Sequence, residues 1–379
     1  MSLRTLIAVA AALSLAVPAA SAAASRSASD PVPVLAHYYI WFDATSWDRA
    51  KRDLPLRGRY SSDEGRVMRQ HVRWAKQAGI DGFIVSWKSS WRLNRRLATL
   101  MQIATEEDFK LAITYQGLDF DREPLPVERV AGDLDYFIHR FAGNRSFDLF
   151  DKPLVIWSGT WRYGAAEIAR VTAPRRKRLL ILASEKSTAD YARVQASVDG
   201  DAYYWSSVDP ERYPTYGQKL VEMGQAVHAS GGLWIAPAAP GFDARLVGGA
   251  TVVPRRDGQT LRDRFDAAAR SSPDAIGIIS WNEFSENTHI EPSERYGMHY
   301  LKVVADVNGA SFASAADLDS SDPAGTPRAA TGIPYGAPLL IGLIAVTMVV
   351  AMFARWRRHH PRIRDLAHVD PTEPITPDP

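Results

Sequence analysis

The sequence contains no cysteine. That excludes disulfides, a thiol nucleophile and any Cys-ligated metal. Its nine histidines show no paired ligand spacing, so no metal is expected. No Gly-rich phosphate loop follows the first strand-like run, which leaves no sign of a nucleotide or other cofactor. Charge of one sign is scarce too: 45 Lys and Arg against 43 Asp and Glu give +2. Five of those cations sit in the last 25 residues, and nothing marks nucleic acid as a partner. Internal repeats are absent. Aromatics are plentiful, with 11 Trp, 14 Tyr and 13 Phe. Their faces can stack on apolar patches of sugar rings, although most aromatics in any domain form core.

The two ends suggest where the chain lives. A short basic start around Arg4 precedes an apolar run to about Ala20 and small residues that offer an Ala-x-Ala cleavage site. Residues 1–24 read as a secretory signal peptide. Near the other end, Ala337–Ala354 carries no charge and is rich in Leu, Ile, Val and Met. Residues 335–354 therefore read as one transmembrane helix, just long enough for a hydrocarbon core of about 30 Å. Arg355, Arg357, Arg358, Arg362 and Arg364 follow, the charge expected on the cytoplasmic side. Residues 355–379 would be a basic cytoplasmic tail and 309–334, rich in Ala, Ser, Asp, Gly, Pro and Thr, a flexible stalk. The expected arrangement is a single-pass cell-membrane protein with its globular domain outside.

Residues 31–308 remain, close to the usual size of a (β/α)8 barrel. Eight β-branched or aromatic runs alternate with helix-like stretches, beginning with Val34–Phe42 and ending with Ala275–Trp281. Glu64–Ala78 shows the helical spacing clearly, with Val67, Val72, Trp74 and Ala75 among polar residues. Such alternation predicts an α/β fold with a parallel sheet closed into a TIM barrel. An open doubly wound sheet is the alternative.

In a barrel the chemistry lies where the strands end. The eighth run is densest, reading Ser280-Trp-Asn-Glu-Phe-Ser-Glu-Asn-Thr-His-Ile-Glu-Pro292. Cleaving a glycosidic bond needs a proton for the leaving oxygen and a carboxylate near the anomeric carbon. Glu283 and Glu286, three residues apart, would lie about 5–6 Å from each other at Cβ on a helical turn. Like-charge repulsion would raise one of their pKa values, as suits a general acid. The same two residues would also suit the N-terminus of a helix. A direct carboxylate nucleophile and a neighbouring-group mechanism both fit this pair.

The stretch Asp274–Pro292 resembles the signature of glycoside hydrolase family 99, the endo-α-mannosidases and endo-α-mannanases, which reads Asn-Glu-Trp-His-Glu-Gly-Thr-Gln-Ile-Glu-Pro. Three more stretches are similar to that family, in the same order. They are His37-Tyr-Tyr-Ile-Trp-Phe42, Tyr60-Ser-Ser-Asp63 with His71–Trp87, and Pro240-Gly-Phe-Asp-Ala-Arg245. The resemblance covers Val34 to Tyr300. It implies that Glu283 deprotonates the substrate 2-hydroxyl, which displaces the leaving group through a 1,2-anhydro sugar. It implies Glu286 as general acid/base, with configuration retained and a polysaccharide or oligosaccharide as substrate.

Departures from the pattern bear on the sugar. Ser285 stands at the family's His, Asn287 at its Gly and His289 at its Gln. Tyr115-Gln116-Gly117 replaces Glu-Pro-Tyr after the third strand. The catalytic-loop motif also resembles family 71, so an α-1,3-glucan stays open beside an α-mannan. A non-catalytic glycan-binding or wall-sensing receptor is the other class of reading. Tyr39, Trp41, Trp87, Gln116, Trp205, Asn282 and His289 are the expected substrate-binding residues. Glu185 is a spare carboxylate at the end of the fifth strand.

Overall fold

The computed structural model describes residues 31–312. The expected signal peptide, the transmembrane helix, the tail and the stalk beyond residue 312 lie outside the described residues. Among the described residues no helix is long and apolar enough to cross a membrane.

Eight strands run parallel: β1 Val34–Tyr39, β2 Gly82–Trp87, β3 Lys110–Gln116, β4 Leu154–Ser158, β5 Leu180–Leu182, β6 Gly200–Ala202, β7 Leu233–Ala238 and β8 Ala275–Ile278. Their order is β5-β4-β3-β2-β1-β8-β7-β6. The ring closes where Ala183 pairs with Asp201. There the Ala183 amide donates to Gly200 and the Ala202 amide to Ala183, each at 2.9 Å. Eight helices follow the strands: α1 Gly65–Gln77, α2 Trp91–Glu106, α3 Val127–Arg140, α4 Ala165–Thr172, α5 Thr188–Val194, α6 Tyr216–Ala229, α7 Gln259–Arg270 and α8 His299–Val307. A short antiparallel ladder, Phe242–Asp243 with Val252–Val253, is built into the loop after β7. The expected barrel is present, with the fifth and sixth strands shorter than their apolar runs.

Local chemistry explains the helices. In α1, Met68, His71, Val72, Trp74 and Ala75 fall on one buried stripe. Ser90 and Ser187 cap α2 and α5 by accepting the amides of Leu93 and Asp190. The strands alternate as a barrel wall requires. Leu35, Ile84, Ala112, Leu154, Leu182, Ala202, Ile235 and Ala275, one from each strand, fill the lower interior. Two residues further along, the inward set turns polar or small, with His37, Ser86, Thr114 and Gly277. The apolar plug therefore gives way to a polar floor beneath the mouth.

The pairing of β6 with β7 depends on one glycine. Gly200 has φ +147°, and a Cβ there would lie 2.0 Å from the Leu233 carbonyl oxygen. Gly200→Ala should lower stability by about 3 kcal/mol or more through strain and overpacking, read from denaturant unfolding. A loss under about 1 kcal/mol would mean that the β6–β7 seam adapts.

Candidate active site

The chain leaves β8 into a loop held by its own short side chains. The Ser280 hydroxyl accepts the Glu283 amide at 2.8 Å and pairs with the Thr288 hydroxyl at 3.0 Å. The Ile290 amide returns to the Ser280 carbonyl, and the Glu291 amide to Trp281. Phe284–Asn287 forms a turn, not the start of a helix, so the helical spacing considered for Glu283 and Glu286 does not apply. Instead the Glu283 carboxylate folds back and accepts the Ser285 amide at 2.9 Å. Glu286 is fixed from outside the loop, because its carbonyl accepts the Asp243 amide at 2.8 Å. Arg52 and Arg245 hold that aspartate, at 3.2 and 2.6 Å. Asn287 has φ +51°, a conformation that Asn tolerates better than most residues. That explains how it can stand where the family pattern has glycine.

Asn282 joins this loop to β1. Its side-chain oxygen accepts the Tyr39 amide at 2.8 Å, and its NH2 donates to the Tyr39 carbonyl at 2.9 Å. Behind it, Tyr60 donates to Glu291 at 2.9 Å, and Glu291 lies 3.2 Å from His71. His71 in turn contacts the Tyr38 hydroxyl at 3.0 Å. The polar groups behind the carboxylates are thus paired, as burial demands.

The two glutamates differ in environment. Glu283 is buried, which pushes its carboxyl up, but the Ser285 hydrogen bonds and the Lys51 ammonium oppose the rise. Burial first, and then the charge of Glu283, push Glu286 up to about 7, with Arg122 opposing. Both carboxyls are thus raised, but the amide and ammonium contacts that limit the rise at Glu283 are missing at Glu286, which keeps its proton towards neutrality. Two carboxyl groups in unlike surroundings stand on one loop at the barrel mouth. The Tyr39 hydroxyl is raised by burial and then by both glutamates, which places it beside the pair.

Tyr39 and Trp41 occupy the mouth as expected, with Trp41 stacked on Tyr39 at 4.3 Å and 43% exposed. Gln116 is half-buried on the inner wall, donating to the Ser86 hydroxyl at 3.0 Å. Four expectations need correction. Trp87 points outward and is fully buried against Phe137 and Phe141, out of reach of a ligand. Trp205 lies against Tyr216 of α6, with the Lys219 ammonium over its ring. Asn282 is fully buried and serves the backbone of Tyr39. His289 is buried on Phe284 and bonds Asp53 at 3.2 Å, so it supports the loop from behind. Burial holds its imidazole down at about 4. Glu185 lies behind the wall with Arg193, 3.2 Å away.

Sequence reasoning missed Tyr204, whose hydroxyl meets that of Tyr39 at 2.6 Å and whose ring stands edge-on to His37. Strand parity would have found it, since Ala202 faces inward and Tyr204 is two residues on. Lys51 and Arg122, the cations near the glutamates, sit on loops without any motif. Among the described residues no cluster of His, Asp or Glu could hold a metal ion.

The raised value of Glu286 has a measurable consequence. Its ordinary value is 4.5, so the fold penalises its ionisation. That penalty is absent below pH 4.5, grows up to about pH 7 and then stays constant. Relative to the native protein, Glu286→Gln should gain melting temperature across that window and level off above it. A difference in Tm that does not vary with pH would show that Glu286 titrates normally.

Comparison with known proteins identifies the family. The sequence profile described as Glycosyl hydrolase family 99 matches residues 33–303. No curated protein sequence matches. Among solved structures, a GH99 endo-alpha-mannosidase from Bacteroides thetaiotaomicron in complex with Bis-Tris-propane has TM-score 0.66 at 20% identity, over 76% of this chain and 99% of that one. A second structure of a GH99 endo-alpha-mannosidase from Bacteroides thetaiotaomicron has TM-score 0.64 at 19% identity, over 72% and 96%. One described as a glycoside hydrolase-like protein has TM-score 0.57 at 17% identity, over 73% and 94%. With the family profile spanning its whole barrel, the chain belongs to glycoside hydrolase family 99 and is a glycoside hydrolase.

Proposed function

We propose that the protein is an endo-acting hydrolase of an α-mannan-type glycan that retains configuration through a 1,2-anhydro sugar. The observation that carries this reading is the unlike setting of the pair: the Ser285 amide and Lys51 oppose the rise at Glu283, whereas burial and the charge of Glu283 raise Glu286 to about 7. Glu283 takes the proton of the 2-hydroxyl, and O2 bonds to the anomeric carbon as the leaving oxygen departs with the proton of Glu286. Water then gives a proton to Glu286 and bonds to the anomeric carbon. The C1–O2 bond breaks, and O2 recovers the proton from Glu283. Trp41 and Tyr39 offer a stacking face for a sugar at the mouth. The endo-alpha-mannosidases of the same family support the choice of mannan.

Purified protein should release oligosaccharides of retained configuration from α-mannan, read by chromatography and NMR. Glu286→Gln should lower kcat/KM by about 10²–10⁴-fold, the usual weight of a general acid. A substrate lacking the 2-hydroxyl should not be cleaved, and its cleavage would rule out the anhydro sugar. Products from α-1,3-glucan alone would keep the carboxylates and discard mannan.

The same reading places the barrel outside the cell on one C-terminal span, from the uncharged run 337–354 and the arginines after it. The full chain should sediment with membranes and resist carbonate extraction, whereas a chain ending at residue 308 should not. Carbonate-soluble full chain would remove the anchor.

A further inference from the structure

Beside Glu283 the rim opens into a second space. A cavity of about 620 Å³ lies between the β1–α1 loop and residues Glu294 and Arg295, which follow the catalytic loop. It shares walls with the active site. Trp47 stands edge-on to Phe284 at 5.5 Å, and Asp53 bonds His289. Lys51 lines the cavity and also acts on the Glu283 carboxylate.

The lining carries Arg49, Lys51, Arg52, Arg59 and Arg295 against Asp48, Asp53 and Glu294. Pairing decides what charge is left. Arg59 pairs with Asp48 and Arg52 with Asp243, each at 3.2 Å. Asp53 is committed to His289 and to the Arg295 amide, at 3.2 and 3.0 Å. Among the described residues, Arg49, Lys51 and Arg295 have no carboxylate within ion-pair distance. Glu294, Arg49 and Arg295 are all exposed at the rim, Lys51 is half-buried, and the Arg295 guanidinium rests over the Tyr296 ring at 5.4 Å. Three cations therefore face one cavity that adjoins the reacting centre. Solubility alone would not call for a half-buried Lys51 at that wall.

We propose that this cavity is a subsite for an anionic substituent of the glycan, a phosphate ester seated on Arg49, Lys51 and Arg295 while the scissile bond lies at Glu283 and Glu286. The inference rests on the hydrolase reading above and narrows its substrate class to phosphate-bearing α-mannan. Guanidinium groups match phosphate oxygens two at a time, and an ammonium adds a point charge. A uronic carboxylate would carry similar charge and is separated by the test.

The test compares kcat/KM of the full chain on a phosphorylated α-mannan and on the same polymer stripped of phosphate. Native protein should prefer the phosphorylated polymer about ten-fold at low ionic strength, the effect of one good charge-assisted bond, and less as salt rises. In the Arg49→Ala/Arg295→Ala double variant that preference should fall to near unity, with the rate on stripped polymer unchanged. Equal kcat/KM of native protein on both polymers overturns the subsite. A greater preference for carboxylate-bearing oxidised mannan overturns the phosphate assignment. Calorimetry on Glu286→Gln with phosphorylated and plain manno-oligosaccharides reads binding apart from turnover. Preferential binding of the phosphorylated ligand without hydrolysis by native protein keeps the subsite and sinks the hydrolysis of mannan. Binding of neither ligand overturns both.

Discussion

The site depends on one amide. Asn282 takes both backbone groups of Tyr39, so β1 and the loop after β8 are joined by a side chain where the strand ladder has already ended. Each of those groups left unpaired in the interior would cost about 1–3 kcal/mol. With them paired, Tyr39 stands beside Glu283 and Glu286 on a fixed backbone, and the chain of Tyr60, Glu291, His71 and Tyr38 is satisfied behind it. Two carboxyl groups can then be kept in a dry setting, which is what separates their proton affinities.

That separation needs a second support, because a carboxyl pair with identical surroundings would titrate as equals. Here the Ser285 amide and Lys51 favour the charge on Glu283, while Glu286 receives the repulsion. Glu286 is fixed through its carbonyl by Asp243, on a different loop. The two glutamates thus answer to different parts of the barrel rim.

Much of this was legible in the sequence, and the reasons for the rest are physical. The stripe of α1 carries periodicity strong enough to place that helix nearly to the residue, Glu64–Ala78 in the sequence and Gly65–Gln77 in the fold. Carboxylate density drew attention to Glu283 and Glu286, and the structure brings both to the loop after β8. Trp87 and Trp205 were misread because an aromatic at a strand end says nothing about which face it takes. Ser86 and Tyr204, one position earlier, face the interior. His289 was misread for another reason: its partner Asp53 lies 236 residues away, and no local pattern announces it. Lys51 likewise enters the site by the path of a loop.

The short β5 and β6 close the ring at Ala183 with a few hydrogen bonds, three joints around the ring from the β1–β8 joint. The ring is therefore uneven, a well-bonded arc hinged about a thin seam. Thermal breathing will concentrate at that seam, where few bonds must break. The carboxylates sit on the loop at the β1–β8 joint, so the barrel can exchange its weakest amides with solvent without breaking a hydrogen bond that holds Glu283 and Glu286.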